Sequence, residues 1–240
     1  MSACGQMARR TMIALAPLSM LWSSALFAQV GTTPEQSPFR DVEKRQDLTF
    51  LFGPSIGGKD NAGAAPRGGA AMGVRYDVKL GSSPIAFTSS ILRQAASRDV
   101  LQPGLPLSNR VGATVSQPLY MVDLGMTLLL TGNKSWRSLV PSLTLGVGLV
   151  TDNKAVTDSS RFRFGNRPAP SLGLGLKYAP LRSRWTVRAD LTNRFYSVPY
   201  PQGFRDTTPN VPRVVGANVN NSWTRNTMLT LGLVREIGRR

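Results

Sequence analysis

Residues 171–195, Ser-Leu-Gly-Leu-Gly-Leu-Lys-Tyr followed after a short gap by Trp-Thr-Val-Arg-Ala-Asp-Leu-Thr, constrain the fold more than any other stretch of the chain. Leu172, Leu174, Leu176 and Tyr178 alternate with Ser171, Gly173, Gly175 and Lys177. After a turn at 179–183, Trp185, Val187, Ala189 and Leu191 alternate with Thr186, Arg188, Asp190 and Thr192. Successive side chains of a strand point to opposite faces. The stretch therefore predicts a hairpin with one continuous apolar face and one small, polar or charged face. Lipid on the first face and a polar lumen on the second is the arrangement of a transmembrane β-barrel.

The N-terminus predicts export. Arg9 and Arg10 precede an apolar run from Met12 to Phe27 that ends in Ala28. A charged region, an apolar region and a small-residue cleavage site form a signal peptide. We expect it over 1–28, cleaved after Ala28, with Leu26 and Ala28 at the recognition positions. The run is short of the ~20 apolar residues of a spanning helix. Arg-Arg-Thr-Met-Ile weakly resembles a twin-arginine signal, but paired arginines are common in ordinary secretory signals. The only cysteine, Cys4, lies in this segment, so the expected mature chain forms no disulfide.

Twenty-nine basic and 13 acidic residues give a formal charge of +16, of which the signal carries only Arg9 and Arg10. Such an excess favours anionic partners. With an export signal present, a phosphate-rich membrane surface is expected and nucleic acid is not.

Residues 29–46 lack periodicity and read as a flexible periplasmic leader with no assigned fold; residues 47–240 read as the barrel. Its strands are marked by Leu48, Phe50 and Phe52; by Met72, Val74, Tyr76 and Val78; by Ile85, Phe87, Ser89 and Ile91; by Tyr120 to Leu130; and by Leu139 to Val150. The opening hairpin supplies two more, and Trp223 to Ile237 the eighth. Val111, Ala113 and Val115 can extend a strand above the membrane. Phe162 and Phe164 share the parity of Leu172, so the sixth strand is allowed to begin as early as Arg161, although Pro168 and Pro170 weaken a ladder there. The connections alternate long and short. An up-and-down sheet then gathers the long loops at one end, with both termini and the short turns at the other. The expected fold is all-β: an eight-stranded antiparallel transmembrane barrel with long extracellular loops and short periplasmic turns.

In this architecture residues 47–237 resemble the small OmpA-like, OmpX-like and OmpW-like outer-membrane barrels of Gram-negative bacteria. The resemblance implies insertion by the outer-membrane assembly machinery and roles ranging from envelope stability to adhesion and small-solute passage. The chain departs from that family by ending Arg-Glu-Ile-Gly-Arg-Arg instead of on an aromatic residue.

Strand parity turns Arg75, Asp77, Lys79, Asp123, Lys177, Arg188, Asp190, Arg194 and Glu236 toward the lumen. An eight-stranded interior is just wide enough for side chains, so these charges are expected to pair and plug it; a translocation path is the other reading that parity allows. In the long loops, Lys59, Arg67, Arg98, Arg110, Arg161, Arg163, Arg167, Arg205 and Arg213 are candidates to bind lipid phosphates. A soluble cationic loop surface is the competing reading. Trp136, Tyr178, Trp185, Tyr120, Phe195 and Trp223 fall near strand ends and predict interfacial girdles.

The sequence contains no histidine, the side chain that most readily serves as a base near neutral pH. No nucleophile elbow, calcium loop or complete dinucleotide fingerprint occurs, and Gly146-Val-Gly148 and Gly173-Leu-Gly175 read as close-packed lumen positions. No catalytic, cofactor or metal site is expected. The expected protein is a non-enzymatic, monomeric outer-membrane barrel with an envelope or surface-interaction role, contacting lipid and lipopolysaccharide. A narrow pore and a secreted lipocalin-like ligand binder are the alternatives, the second requiring inverted polarity.

Overall fold

Alternating Leu, Val and aromatic residues form strands along most of the chain. The computed structural model describes residues 37–42, 45–152, 160–180, 183, 185–207, 209 and 211–237. The expected signal peptide, most of the leader, loop residues 153–159, parts of the 179–183 turn and the C-terminal Gly-Arg-Arg lie outside the described residues. The compact unit is Phe39–Arg240. Its strands are β1 (Phe39–Asp41), β2 (Gln46–Gly57), β3 (Gly69–Lys79), β4 (Ile85–Gln94), β5 (Ser97–Leu101), β6 (Val111–Ser116), β7 (Leu119–Leu129), β8 (Lys134–Trp136), β9 (Leu139–Asp152), β10 (Arg167–Tyr178), β11 (Trp185–Pro199) and β12 (Asn221–Ile237).

Among the described residues, β2, β3, β4, β7, β9, β10, β11 and β12 pair in that order, and β12 returns to β2, closing an eight-stranded barrel. Every pairing is antiparallel, from Leu172↔Leu145 and Leu174↔Leu191 in the predicted hairpin region to Leu233↔Phe50 at the closure. Connections 58–68, 95–118, 153–166 and 200–220 leave one end, and 80–84, 130–138 and 179–184 the other.

Face polarity follows the alternation. Phe52, Val74, Ile91, Leu124, Leu145, Leu174, Val187 and Leu231 point outward and are exposed, whereas Arg75, Asp77, Thr88, Asp123, Lys177, Arg188, Asp190 and Arg194 point inward and are buried. This is the opposite of a lipocalin-like soluble binder, whose interior must accept an apolar ligand.

Two strand boundaries differ from the sequence expectation. First, β10 begins at Arg167, and Phe162 and Phe164 precede it as buried loop residues, 1% and 0% exposed, rather than extending the outward row of Leu172. Pro168 and Pro170 do sit in β10, but residues 167–170 pair only with β9, while pairing to β11 starts at Ser171. The prolines therefore lie where β10 is an edge, and their missing N–H groups break no ladder on the β11 side. Second, the leader is not wholly without structure. Phe39–Asp41 forms β1, paired with β8, and Gln46 already belongs to β2.

The apolar core sits at the long-loop end. Leu119, Met121, Val150, Phe162, Phe164, Tyr196, Val198 and Phe204 are almost completely buried there. Phe164 meets Tyr196 edge to face at 5.4 Å, a favoured aromatic geometry. The hairpin of β5 and β6 rises from the 95–118 connection; β5 is largely buried and β6 largely exposed.

Candidate functional site: a charge-balanced lumen under an aromatic cap

The interior is built from one short pattern used twice. Arg75-Tyr-Asp77 on β3 and Arg188-Ala-Asp190 on β11 each place an arginine and an aspartate on the same face, two residues apart. Within each unit the guanidinium holds its own aspartate: Arg75 Nε donates to Asp77 Oδ2 at 2.9 Å and Arg188 Nε to Asp190 Oδ2 at 2.6 Å. The two units also meet across the lumen. Arg188 Nη1 donates to Asp77 Oδ2 at 3.4 Å, and Arg75 Nη1 lies 3.9 Å from Asp190 Oδ1. A line of hydroxyls, Thr88–Thr127–Thr144, joins β4, β7 and β9 at 2.7 and 2.8 Å. Arg75 Nη2 donates into it at Thr127, 2.7 Å away. Glycine makes the room: a Cβ on Gly175 would lie 2.5 Å from Asp190 Oδ1 and 2.8 Å from Arg188 Nη2.

Layers above and below complete the network. Toward the long-loop end, Arg194 on β11 donates to Asp123 on β7, which also accepts from Ser90 Oγ at 3.1 Å; above them Asn226 Nδ2 donates to Gln94 Oε1 at 2.7 Å. Toward the short turns, Lys177 on β10 bridges Asp47 Oδ2 at 2.7 Å and Glu236 Oε1 at 3.1 Å. Asp47 stands opposite Asp77 in the register, and the cations between them offset that like-charge pairing.

All nine lumen-phase residues expected from parity thus face the interior, where Asp47 joins them. The five cations Arg75, Lys79, Lys177, Arg188 and Arg194 are matched by the five carboxylates Asp47, Asp77, Asp123, Asp190 and Glu236 among the described residues. These ten strand charges cancel, while Arg45 of the segment before β2 lines the lower cavity from its exposed rim; the basic excess of the chain lies outside the strand-lined interior. Asp47 and the threonines carried a readable signal, since both follow the parity of their strands.

Described loop and leader residues lie over each end of the barrel. The aromatic cap closes the long-loop end, where Arg98 is 1% exposed with its guanidinium 4.7 Å from the Phe162 ring centroid. Asp60 ties two loops together by accepting from Tyr200 Oη at 2.7 Å and Ala65 N at 2.9 Å. Burial and this bond push the Tyr200 phenol up to about 12. At the other mouth the segment before β2 acts as a strap. Val42 N donates to Asn133 O at 2.8 Å, Lys79 Nζ to Val42 O at 3.2 Å and Lys79 N to Arg45 O at 2.9 Å. Two lumen cavities remain, one above and one below the Arg75–Asp77–Arg188–Asp190 quartet, each with about 30 Å³ of free volume. That suits water rather than a solute.

The nine basic loop candidates do not form one cluster. Arg98 and Arg110 are buried, 1% and 7% exposed, and so are not open to lipid; Arg110 Nη2 donates to Pro212 O instead. Arg67 pairs with Asp99, Arg167 Nε donates to Phe164 O, Arg205 donates to Asn220 and Arg213 to Thr207. Lys59, Arg161 and Arg163 are exposed. Arg93 and Arg225, which loop-based reasoning missed, point outward from strand ends beside Tyr120 and Phe195, their register partners. The readable signal was again parity, with Ile91 and Trp223. Of the expected girdle, Trp136, Tyr178, Trp185, Phe195 and Trp223 are exposed and Tyr120 is half-buried.

Together these features define a closed antiparallel β-barrel with an apolar exterior and an interior lined by paired charges. The chain is similar to the crystal structures of Neisserial surface protein A (12% identity, TM-score 0.43, 84% of this chain and 98% of that one) and the N-terminal β-barrel domain of Pseudomonas aeruginosa OprF (14%, 0.39, 80% and 98%). It is also similar to a major outer membrane protein from Thermus thermophilus (14%, 0.41, 80% and 99%). No protein-family model and no curated protein sequence matches the chain.

Proposed function

We propose that this chain is a non-enzymatic outer-membrane protein of a diderm bacterium, exported by its N-terminal signal and inserted as a monomer by the outer-membrane assembly machinery. Its barrel anchors a folded, cationic loop assembly at the cell surface. The observation that carries the reading is an apolar exterior around an interior crossed by paired charges. A surface of outward Leu, Val, Ile and Phe suits lipid, while most of the buried lumen charges are engaged by one another across the barrel. Exposed arginines at the long-loop rim, Arg93, Arg163 and Arg225, engage lipopolysaccharide phosphates, for which the planar guanidinium offers paired donors.

The test is outer-membrane fractionation with gel mobility before and after boiling, followed by lipopolysaccharide binding. A heat-dependent shift and binding that weakens about fivefold per charge in R93E, R163E and R225E, the worth of one basic residue at an anionic surface, are expected. Unchanged binding by folded variants removes the lipopolysaccharide role; recovery as a soluble periplasmic protein removes the membrane reading. Current across planar bilayers separates this reading from a narrow pore: reproducible conductance steps would favour the pore.

A further inference from the structure

Arg137 and Ser138, joining β8 to β9 at the pair Trp136↔Leu139, have φ of 48° and 69°. A two-residue hairpin with both central residues left-handed ordinarily takes Asn-Gly; Arg-Ser there carries backbone strain, which persists where function gains from it. This turn sets the Arg137 guanidinium 5.4 Å from the Trp136 ring centroid. The same device recurs at the start of β11. Trp185 faces Arg235 in the register, and the Arg235 guanidinium lies 5.6 Å from its ring.

Tyr178 lies between the two units, paired with Leu139 on one side and Val187 on the other. Trp136, Tyr178 and Trp185 are 44%, 48% and 46% exposed, so the three rings and two guanidinium groups form one outward arc from β8 to β12. The neighbouring carboxylates are turned elsewhere: Glu236 points inward to Lys177, and Asp41 stands opposite Lys134. At the same height, the pairs Val78↔Phe87 and Ile85↔Leu128 give the β3, β4 and β7 sector an apolar surface.

We propose that each Trp–Arg unit of this arc, Trp136 with Arg137 and Trp185 with Arg235, binds the phosphate of an anionic phospholipid in the periplasmic leaflet. Tryptophan rings favour the headgroup level of a membrane interface, and each ring here holds an arginine pre-oriented by cation–π contact, so less side-chain freedom is lost on binding phosphate. The proposal rests on the membrane reading above, with the short turns facing the periplasm.

The experiment uses the refolded protein carrying W22F and W223F, so that fluorescence reports Trp136 and Trp185, in phosphatidylcholine vesicles containing a small fraction of brominated phosphatidylglycerol or brominated phosphatidylcholine. Stronger quenching by the brominated anionic lipid is expected. R137Q and R235Q should each reduce that preference about fivefold, with R137K and R235K retaining part of it. Equal quenching by both lipids in a protein that shows the heat-dependent gel shift overturns the site and leaves the membrane reading intact. No shift and no quenching by either lipid overturns both.

Discussion

Arg194 on β11 reaches across the lumen to Asp123 on β7, with Nη2–Oδ2 at 2.7 Å and Nε–Oδ2 at 3.0 Å, and so ties together strands that are not neighbours in the sheet. Lys177 to Asp47 and Arg188 to Asp77 do the same at lower levels. The barrel is therefore braced internally as well as laced around its circumference.

Breaking one brace should cost more than removing it. D123L leaves Arg194 buried without its carboxylate and should destabilise the barrel by about 3–5 kcal/mol, whereas D123L with R194M should recover most of that loss. Urea unfolding followed by the heat-dependent gel shift measures both, and a single variant as stable as the wild type would contradict the brace.

Gly73 is required for space. A methyl group there would sit 2.2 Å from Ile91 O and 2.8 Å from Leu92 Cα, backbone atoms of the neighbouring strand. G73A should therefore lower stability by about 1–3 kcal/mol, the usual cost of overpacking, in the same unfolding assay.

The outer face should reject charge. Leu145, 59% exposed and paired with Met126 and Leu172 near the middle of β9, faces lipid in the proposed setting. L145R should destabilise the vesicle-inserted barrel by about 2–4 kcal/mol. A protein in water would tolerate it, so an unchanged refolding yield and stability would count against the membrane.

Alkaline pH should loosen the cap. The Tyr200 phenol is raised from 10.0 to about 12 in the folded protein, so the unfolded chain releases this proton first. The stabilisation from Tyr200 is complete below pH 10 and is lost as pH rises toward 12. The difference in phenolate absorbance between wild type and Y200F should show this high midpoint, and protection of loop amides from hydrogen exchange should fall over the same range. An ordinary midpoint would show that Tyr200 is neither buried nor bonded to Asp60 in the folded protein.

The two uses of Arg-x-Asp show where sequence reading stops. Parity alone turned Arg75, Asp77, Arg188 and Asp190 inward, because a strand's side-chain period is two whatever its neighbours are. Which aspartate each arginine holds across the lumen depends on the stagger of strands around the barrel, which no single strand encodes. Phe162 and Phe164 have the parity of an outward row, and parity against the two prolines left the start of β10 open. Once β10 becomes an edge at its prolines, the preceding chain is free to turn over the mouth and bury its rings against Tyr196.

The alternating strands, their apolar outer face and their charged inner one were legible in the residue order, since these are local properties of a pleated backbone. The pairing of the lumen charges, the loops that cap one mouth, the β1 strap across the other and the arginines stacked on Trp136 and Trp185 were not. Those features join residues far apart along the chain, and the distances between them are set only when the sheet closes.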